Sequence, residues 1–476
     1  MYKITFNRTK IVATIGPASS SYENLKALIY AGVDVCRLNF SHGAREVHQA
    51  ALDNIRKINQ ELNSNICILQ DLQGPKLRVG NMGEGVLLIE GQLLTVTNIP
   101  IVGSADKISV LYDKLAEEVK PGEIILLDDG NLEIHITKKI DANHLEAKVI
   151  VGGILKSNKG FNLPNSKISV PALTEKDIED LNFGLDNDVE WVGLSFVRRA
   201  EDILELKKLI AARGKKCLVV AKIEKPEAIE NLDAIIQVAD AIMVARGDLG
   251  VEIAQQRVPL IQKEIVEKCI KSAKPVIIAT QMMESMIENS RPTRAEVNDV
   301  ANAVLDGADA VMLSAETSVG KYPIQAVSIM SKIIEDVEIN RGVYFKGIKP
   351  ISNSATFLSD EICFTAVRMS DHLQANCIIG MTTSGYSAIK ISSYRPKAYI
   401  FIFTNNLALL NRLNLVWGIR GFYYDRFEST DKTFADVLNI LKLNGVVVEK
   451  DLVIHTASMP IQHRSMANTI KISIVE

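Results

Sequence analysis

Apolar residues recur along the chain in two alternating patterns. Eight short, nearly unbroken blocks rich in β-branched residues stand out: KIVATIG at 10–16, VDVCRLNF at 33–40, NICILQD at 65–71, EWVGLSF at 190–196, CLVVAKIE at 217–224, AIMVARGD at 241–248, KPVIIATQ at 274–281 and DAVMLSAE at 309–316. Longer stretches with helical periodicity, such as EDILELKKLIAARG, lie between them. Unbroken apolar strands belong to parallel sheets covered on both faces, so eight strand and helix units predict a (β/α)8 TIM barrel.

Two regions depart from this rhythm. Between the third and fourth blocks the runs become Gly-punctuated and half-alternating (GVLLIEGQLLTVTN, GEIILLDDGNLEIHIT, HLEAKVIVGG), which predicts a small inserted all-β domain. Because it leaves the barrel after a strand's C-terminal end, it would hang over the face where such barrels carry their sites, as a lid. After VYFKGIKPISNSATF, a linker-like stretch, the runs ANCIIGMTT, AYIFIFTNN, GIRGFYY, DLVIHTAS and TIKISIVE predict a doubly wound α/β sheet. The expected division is a catalytic barrel of residues 1–74 and 172–340, a β-barrel lid of 75–171, and a C-terminal α/β regulatory domain of 341–476.

Composition narrows the partners. With 54 Lys and Arg against 57 Asp and Glu the net charge is -3, which offers no field for nucleic acid or acidic lipid, so any anion site must be local. The six cysteines lie inside apolar runs with no C-x-x-C pair, which argues against a disulfide framework or zinc site and fits a reducing cytoplasm. The start of the chain lacks an apolar leader core, and nowhere do 18 uncharged apolar residues run together.

Polar residues collect just after the strand blocks: Arg37, Asn39 and Ser41; Asp71 and Arg78; Ser195; Lys222 and Glu224; Arg246 and Asp248; Thr280; Ser314 and Glu316. Core packing does not require this, whereas convergence on one pocket at the C-terminal rim of a barrel does. Lys222 and Glu224, two apart, share one side of an extended strand end. Glu224 and Asp248 are hard carboxylates suited to Mg2+ or Mn2+, and such an ion completes its shell with water and substrate oxygens, implying a phosphorylated or carboxylated substrate. Any one of these pairs alone would more often be a surface salt bridge. In RGDLG, Gly247 admits close approach, and the N–H groups of Gly247 and Asp248 open a helix suited to a carboxylate, with Thr280 as an added donor. No P-loop, G-x-G-x-x-G loop or H-E-x-x-H helix occurs. Met282, Met283 and Met286, at helical spacing, are expected in the core.

Together, TIGPAS, CRLNFSHG, DLQGPKLR, KIEKPEAIENLDAI, IMVARGDLGVEI, ATQMMESM, RPTRAEVNDVANAVLDGADAVMLSAET and GKYP resemble pyruvate kinase over nearly the whole chain. The resemblance implies phosphoryl transfer from phosphoenolpyruvate to ADP, giving ATP and pyruvate, the last step of glycolysis, in a cytoplasmic homotetramer. It implies Glu224 and Asp248 as metal ligands, Lys222 as the cation at the transferring phosphoryl group and developing enolate, and Arg37 on the phosphoryl oxygens. Gly247, Asp248 and Thr280 would hold the substrate carboxylate. Asn39, Ser41, His42, Arg78 and Lys159 resemble nucleotide-side contacts, with Asp129 as the lid acid and Asp128 as its alternative. Thr280, with or without Ser314 and Glu316, is the candidate proton source for the enolate; bracing of a strand end is the equal alternative for the last two.

Asn39, Ser41, Asp71 and Leu72 correspond to a monovalent-cation site, but Lys76, with Leu72 and Gln73, resembles the potassium-independent branch. An ammonium on a long stem would stand in for bound K+, unless Lys76 only decorates the lid hinge. In GMTTSGYSAIK, the residues Thr382, Thr383, Ser384 and Ser387 are candidates for a phosphorylated allosteric effector, against the alternative of a simple helix cap; the later loop TASMPIQHRSMANT lacks the glycines common in relatives. The rivals are a phosphoenolpyruvate/pyruvate-class barrel lyase or aldolase without nucleotide binding, and a catalytically silent regulatory homologue. Retention of Lys222, Glu224 and Asp248 argues against the latter.

Overall fold

The computed structural model of the chain describes residues 6–166, 168–345, 348–352, 354–426, 429–460 and 466–476. The eight apolar blocks form strands β1 (Lys10–Ile15), β2 (Val35–Asn39), β3 (Cys67–Asp71), β4 (Trp191–Leu194), β5 (Leu218–Ile223), β6 (Ala241–Ala245), β7 (Val276–Ala279) and β8 (Ala310–Leu313). Each pairs in parallel with its sequence neighbours, and β8 closes onto β1. Side chains alternate between two environments along each strand. Val12, Val35, Leu69, Val220, Met243 and Ile277 fill the interior, whereas Ile11, Ala13, Ile68, Val219 and Ile242 pack outward under the helices. The strands lack a polar face because both faces are covered.

The segment between β3 and β4 builds its own core around Val79, Leu94, Val96, Ile125, Ile134 and Leu145. A six-stranded sheet runs in the order Phe161–Asn162, Ile124–Leu127, Leu132–Lys139, His144–Val151, Leu93–Thr97 and Lys107–Ser109, beside a ribbon of Val86–Leu88 with Gly153–Leu155. The chain leaves the barrel through Gly74 at φ +69, where a Cβ would stand 2.9 Å from Ser195 Cβ and the Phe196 ring. Only glycine fits that crossing without strain.

The C-terminal strands β9 (Cys377–Met381), β10 (Tyr399–Thr404), β11 (Ile419–Tyr423), β12 (Leu452–Ala457) and β13 (Thr469–Ile474) run in the order β11-β10-β9-β12-β13, all parallel except β13. Part of TASMPIQHRSMANT, residues 461–465, lies outside the described residues. This sheet and its helices meet the barrel at the strands' N-terminal ends, opposite the lid. Lys10 Nζ donates to the Ile419 carbonyl at 2.9 Å, Asn414 Nδ2 to the Asp34 carbonyl at 2.8 Å, and Trp191 Nε1 to the Arg412 carbonyl at 3.3 Å. At the centre, Arg395 Nη2 lies 2.8 Å from Asp309 Oδ2 and its guanidinium stacks on Trp417, whose backbone N–H donates to Asp309 Oδ1 at 3.1 Å.

No helix among the described residues is long and apolar enough to cross a membrane. All six cysteines are free, and burial pushes the Cys36 thiol up to about 12, so it serves packing rather than reactivity. Met282, Met283 and Met286 are fully buried in the core, as their spacing predicts.

One buried group is expected to make the C-terminal sheet acid-sensitive. His455 on β12 lies against Phe434, and neither ring nitrogen has a hydrogen-bond partner among the described residues. Burial, and then the Lys471 charge, push its pKa down to about 4. The unfolded chain therefore binds the proton first, so stability is lost as pH falls from the ordinary histidine value of about 6.5 towards 4, by up to about 3 kcal/mol. Urea midpoints measured across that window should fall with acidification and should flatten in His455→Phe; an equally steep fall in the variant would exclude His455 as the cause.

Candidate functional site

Polar side chains at the C-terminal ends of the strands form one network. Arg37 on β2 donates from Nε to Asp71 Oδ2 at 2.7 Å and from Nη1 to Thr14 Oγ1 at 2.8 Å. Lys222, near the end of β5, donates from Nζ to Ser195 Oγ at 2.7 Å and lies 3.1 Å from Asp71 Oδ1 and 3.0 Å from Glu224 Oε1. Glu224 Oε2 accepts the Phe196 N–H at 2.7 Å, and Ser195 Oγ donates to the Leu72 carbonyl at 2.7 Å. Asp71 and Glu224 are each 1% exposed and Lys222 8%, so these charges interact in a medium far less screening than water.

That burial sets their protonation. Burial alone would push Lys222 down, but Asp71 and Glu224 outweigh it and hold the ammonium above the ordinary lysine value. Burial would push Asp71 up, yet Lys222 and Arg37 hold it below the usual carboxylate range. For Glu224 burial prevails: Lys222 offsets part of it, the Asp248 charge adds to it, and the net direction is up. A carboxylate raised by burial and a neighbouring acid is one that a divalent cation would relieve. Among the described residues no group of three or more His, Cys, Asp or Glu is arranged to hold a metal ion. A magnesium-type ion needs only one or two protein carboxylates and fills its shell with other oxygens, which keeps Glu224 and Asp248 the candidate pair.

Asp248 sits in the first turn of the short helix Arg246–Glu252 that follows β6. The Gly247 N–H donates to Thr280 Oγ1 at 2.7 Å, and the same hydroxyl donates to the Ala279 carbonyl at 2.6 Å. Thr280 and Gln281 both hold positive φ, 67° and 54°, a conformation disfavoured for a β-branched residue. Arg246 secures this bend, donating from Nη2 to the Thr280 carbonyl at 2.8 Å and from Nη1 to Asp299 at 2.6 Å. Glu316 accepts the Met283 and Ser314 backbone N–H groups at 3.1 and 2.7 Å, the bracing arrangement, while burial pushes its carboxyl up.

The lid brings its own charges to the same cleft. Lys76, Asp129, Phe196, Lys225 and Asp248 line one cavity. Lys76 Nζ lies 3.9 Å from Asp129 Oδ1, Lys159 pairs with Asp128 at 2.7 Å, and Arg78 donates to the Asn158 carbonyl at 2.9 Å. The two lid acids are thus divided between two lysines. On the barrel side Asn39 Oδ1 accepts the Ser41 N–H at 3.1 Å; the His42 ring is exposed, and its carbonyl lies 3.0 Å from His48 Nε2.

Far from this cleft, Thr382 Oγ1 accepts the Gly385 N–H at 3.0 Å and Ser384 Oγ the Tyr386 N–H at 3.4 Å. Ser387 is buried and Thr383 exposed. Thr382 and Ser384 are thus already engaged by backbone N–H groups at the start of the helix.

Sequence reasoning missed Lys225, Asn162 and Glu252, which meet where lid and barrel touch. Their only local signals are adjacency: Lys225 follows Glu224, Glu252 lies one helical turn beyond Asp248, and Asn162 lies in SNKGFNLP near Lys159.

Comparison with known proteins finds similar chains over nearly the whole length. Residues 6–327 match the family model described as pyruvate kinase, barrel domain, and residues 360–473 that described as pyruvate kinase, alpha/beta domain. Pyruvate kinase 2 of Synechocystis sp. is 46% identical over 476 residues, covering 98% of this chain and 79% of that protein. Pyruvate kinase of Geobacillus stearothermophilus is 41% identical over 475 residues, covering 98% and 80%. A crystal structure of a pyruvate kinase from Cryptosporidium parvum superposes with a TM-score of 0.93 at 33% identity, covering 99% of this chain and 96% of that one.

Proposed function

The chain belongs to the pyruvate kinase family and is a phosphotransferase that moves a phosphoryl group from phosphoenolpyruvate to ADP; from that premise we propose how its own residues divide the work. The observation that carries the assignment is the buried ammonium of Lys222, held by Asp71, Glu224 and Ser195 beside Asp248 and beneath a lid that adds Lys76 and Lys159. Such a site neutralises charge on a transferring phosphoryl group, a reaction that requires no covalent enzyme intermediate.

Arg37, fixed by Asp71 and Thr14, would grip the phosphoryl oxygens. Lys222 would stand between them and the oxygen that becomes the enolate. The N–H groups of Gly247 and Asp248 and the Thr280 hydroxyl would hold the carboxylate, with Thr280 turning from its present partners to do so. Glu224 and Asp248 would hold Mg2+ or Mn2+, which when bound supplies Lewis-acid neutralisation of the phosphate oxygens. Asn39, Ser41, His42, Arg78, Lys159 and Asp129 would face the nucleotide, and closure of the lid would exclude competing water. Thr280 would relay a proton from water to the enolate, taking that water's proton in return, since both oxygens of Glu316 are committed to backbone donors.

The same reading extends to regulation and assembly. The barrel of residues 1–74 and 172–340, the lid of 75–171 and the regulatory domain of 341–476 would form the subunit of a cytoplasmic homotetramer. Thr382, Thr383, Ser384 and Ser387 would receive a phosphorylated effector, with Thr382 and Ser384 exchanging their backbone N–H partners for phosphate oxygens.

For the monovalent cation, Asp71 is already ion-paired with both Arg37 and Lys222, and the Leu72 carbonyl already accepts from Ser195. Lys76 in the cleft would provide the positive charge instead. Pyruvate formation from phosphoenolpyruvate, ADP and Mg2+ should therefore proceed in K+-free buffer. Lys76→Glu should lower K+-free turnover by roughly ten- to a hundredfold, the scale of one close charge interaction in a partly screened site, and added K+ should restore it. No ADP-dependent pyruvate release would refute the kinase, whereas strict K+ dependence of the unmodified protein would refute only the role of Lys76.

A further inference from the structure

The lid touches the barrel through a buried carboxylate that none of these roles uses. Glu252 ends the short helix that begins with Arg246, Gly247 and Asp248, and its side chain is 2% exposed. Its Oε1 accepts from Asn162 Nδ2 of the lid at 2.7 Å and is ion-paired with Lys225, the residue after Glu224. Its Oε2 is buried with no hydrogen-bond partner among the described residues. A second lid contact lies beside it: a Cβ on Gly130, next to Asp129, would stand 3.7 Å from Val251 Cγ1. Asn162 is itself anchored in the lid sheet, opposite Leu126 and three residues beyond Lys159.

A carboxylate so removed from water is costly unless charge and hydrogen bonds match it. Lys225 supplies the charge from the barrel. Asn162 supplies a donor from the lid, and does so only while the lid rests on the helix. Raising the lid would leave Oε1 with Lys225 alone, beside an oxygen that has no donor among the described residues. The junction thus favours the docked lid, and it joins the three segments that carry Glu224, Asp248 and Lys159.

We propose that Glu252 is a positioning residue that docks the lid onto the Asp248 helix through Asn162, with Lys225 as counter-charge. Lid closure and alignment of the two metal-binding carboxylates are then one event. This deepens the reading above and rests on the nucleotide contacts it places on the lid.

The test is steady-state turnover with ADP and phosphoenolpyruvate varied separately, alongside thermal melting. Asn162→Ala should lower kcat/KM for ADP by about tenfold, the worth of one charge-assisted hydrogen bond, with KM for phosphoenolpyruvate nearly unchanged. Asn162→Asp, which sets two carboxylates face to face, should lose more. Combining Asn162→Asp with Glu252→Gln exchanges the acid and the amide across the same contact, keeps a negative charge for Lys225, and should recover most of the loss. A purely structural contact would shift melting and both substrates together. The proposal fails if both Asn162 variants leave the ADP parameters within twofold of the unmodified protein, or if the exchange recovers nothing. Absence of turnover in the unmodified protein would instead overturn the family activity, before any variant is compared.

Discussion

Lys222→Met should lower kcat by about a thousandfold, the upper range for removing one preorganised charge from a water-poor site. The methionine stem fills similar space, so the lost ammonium is the main change. Two consequences separate this from general damage. Asp71 retains Arg37, but Glu224 loses its only cationic partner among the described residues, so its carboxyl should rise further. Metal binding would then need a higher pH, visible as a shifted pH dependence of Mn2+ titrations followed by electron paramagnetic resonance. Lys222→Arg should rescue poorly, because a planar guanidinium cannot replace a compact ammonium among Ser195, Asp71 and Glu224. Turnover within tenfold of the unmodified protein in Lys222→Met would remove this residue from the chemistry.

The largest effect on stability is expected at the other end of the barrel. Asp309→Ala should cost about 3–5 kcal/mol, the range for leaving one member of a buried ion pair without its partner. The Arg395 and Asp309 side chains are only 2% and 3% exposed. Asp309 also accepts the Val276 and Trp417 backbone N–H groups at 3.1 Å each, so the variant leaves three donors unmet. Asp309→Asn keeps the size and an acceptor, and should lose less. Urea unfolding followed by tryptophan fluorescence reads this directly, because Trp417 lies in the junction. An unchanged midpoint in Asp309→Ala would show that the domain is held by apolar packing alone.

The fold was legible in the sequence wherever local pattern reports burial. Eight apolar blocks became eight barrel strands, and the five later blocks became the C-terminal sheet, because strands covered on both faces cannot hide their composition. The convergence at the strand ends was legible for a related reason: one parallel direction places every strand's C-terminal residues on one rim. What stayed illegible depends on partners remote in sequence. Nothing in the sequence around Lys10 says that its ammonium is buried against a carbonyl 409 residues away. Arg395 and Asp309 are 86 residues apart, and Asn162 and Glu252 are 90. The division of Asp128 to Lys159 and Asp129 to Lys76 follows from the turn between adjacent lid strands, where both acids hold positive φ, and two consecutive aspartates give no hint of it.

The position of the C-terminal domain beneath the barrel has a mechanical consequence. Asp309 and Ser314 are the two ends of one stiff rod, as are Trp191 and Ser195, and each rod is only about 13–17 Å long at roughly 3.3 Å per residue. A tilt of the domain that pushes on one end arrives at the other through hydrogen-bonded strands, with no loop along the way to absorb it. The barrel wall thus joins the contacts of the C-terminal domain at Asp309 and Trp191 to the rim that carries Ser314 and Ser195, through paired strands alone.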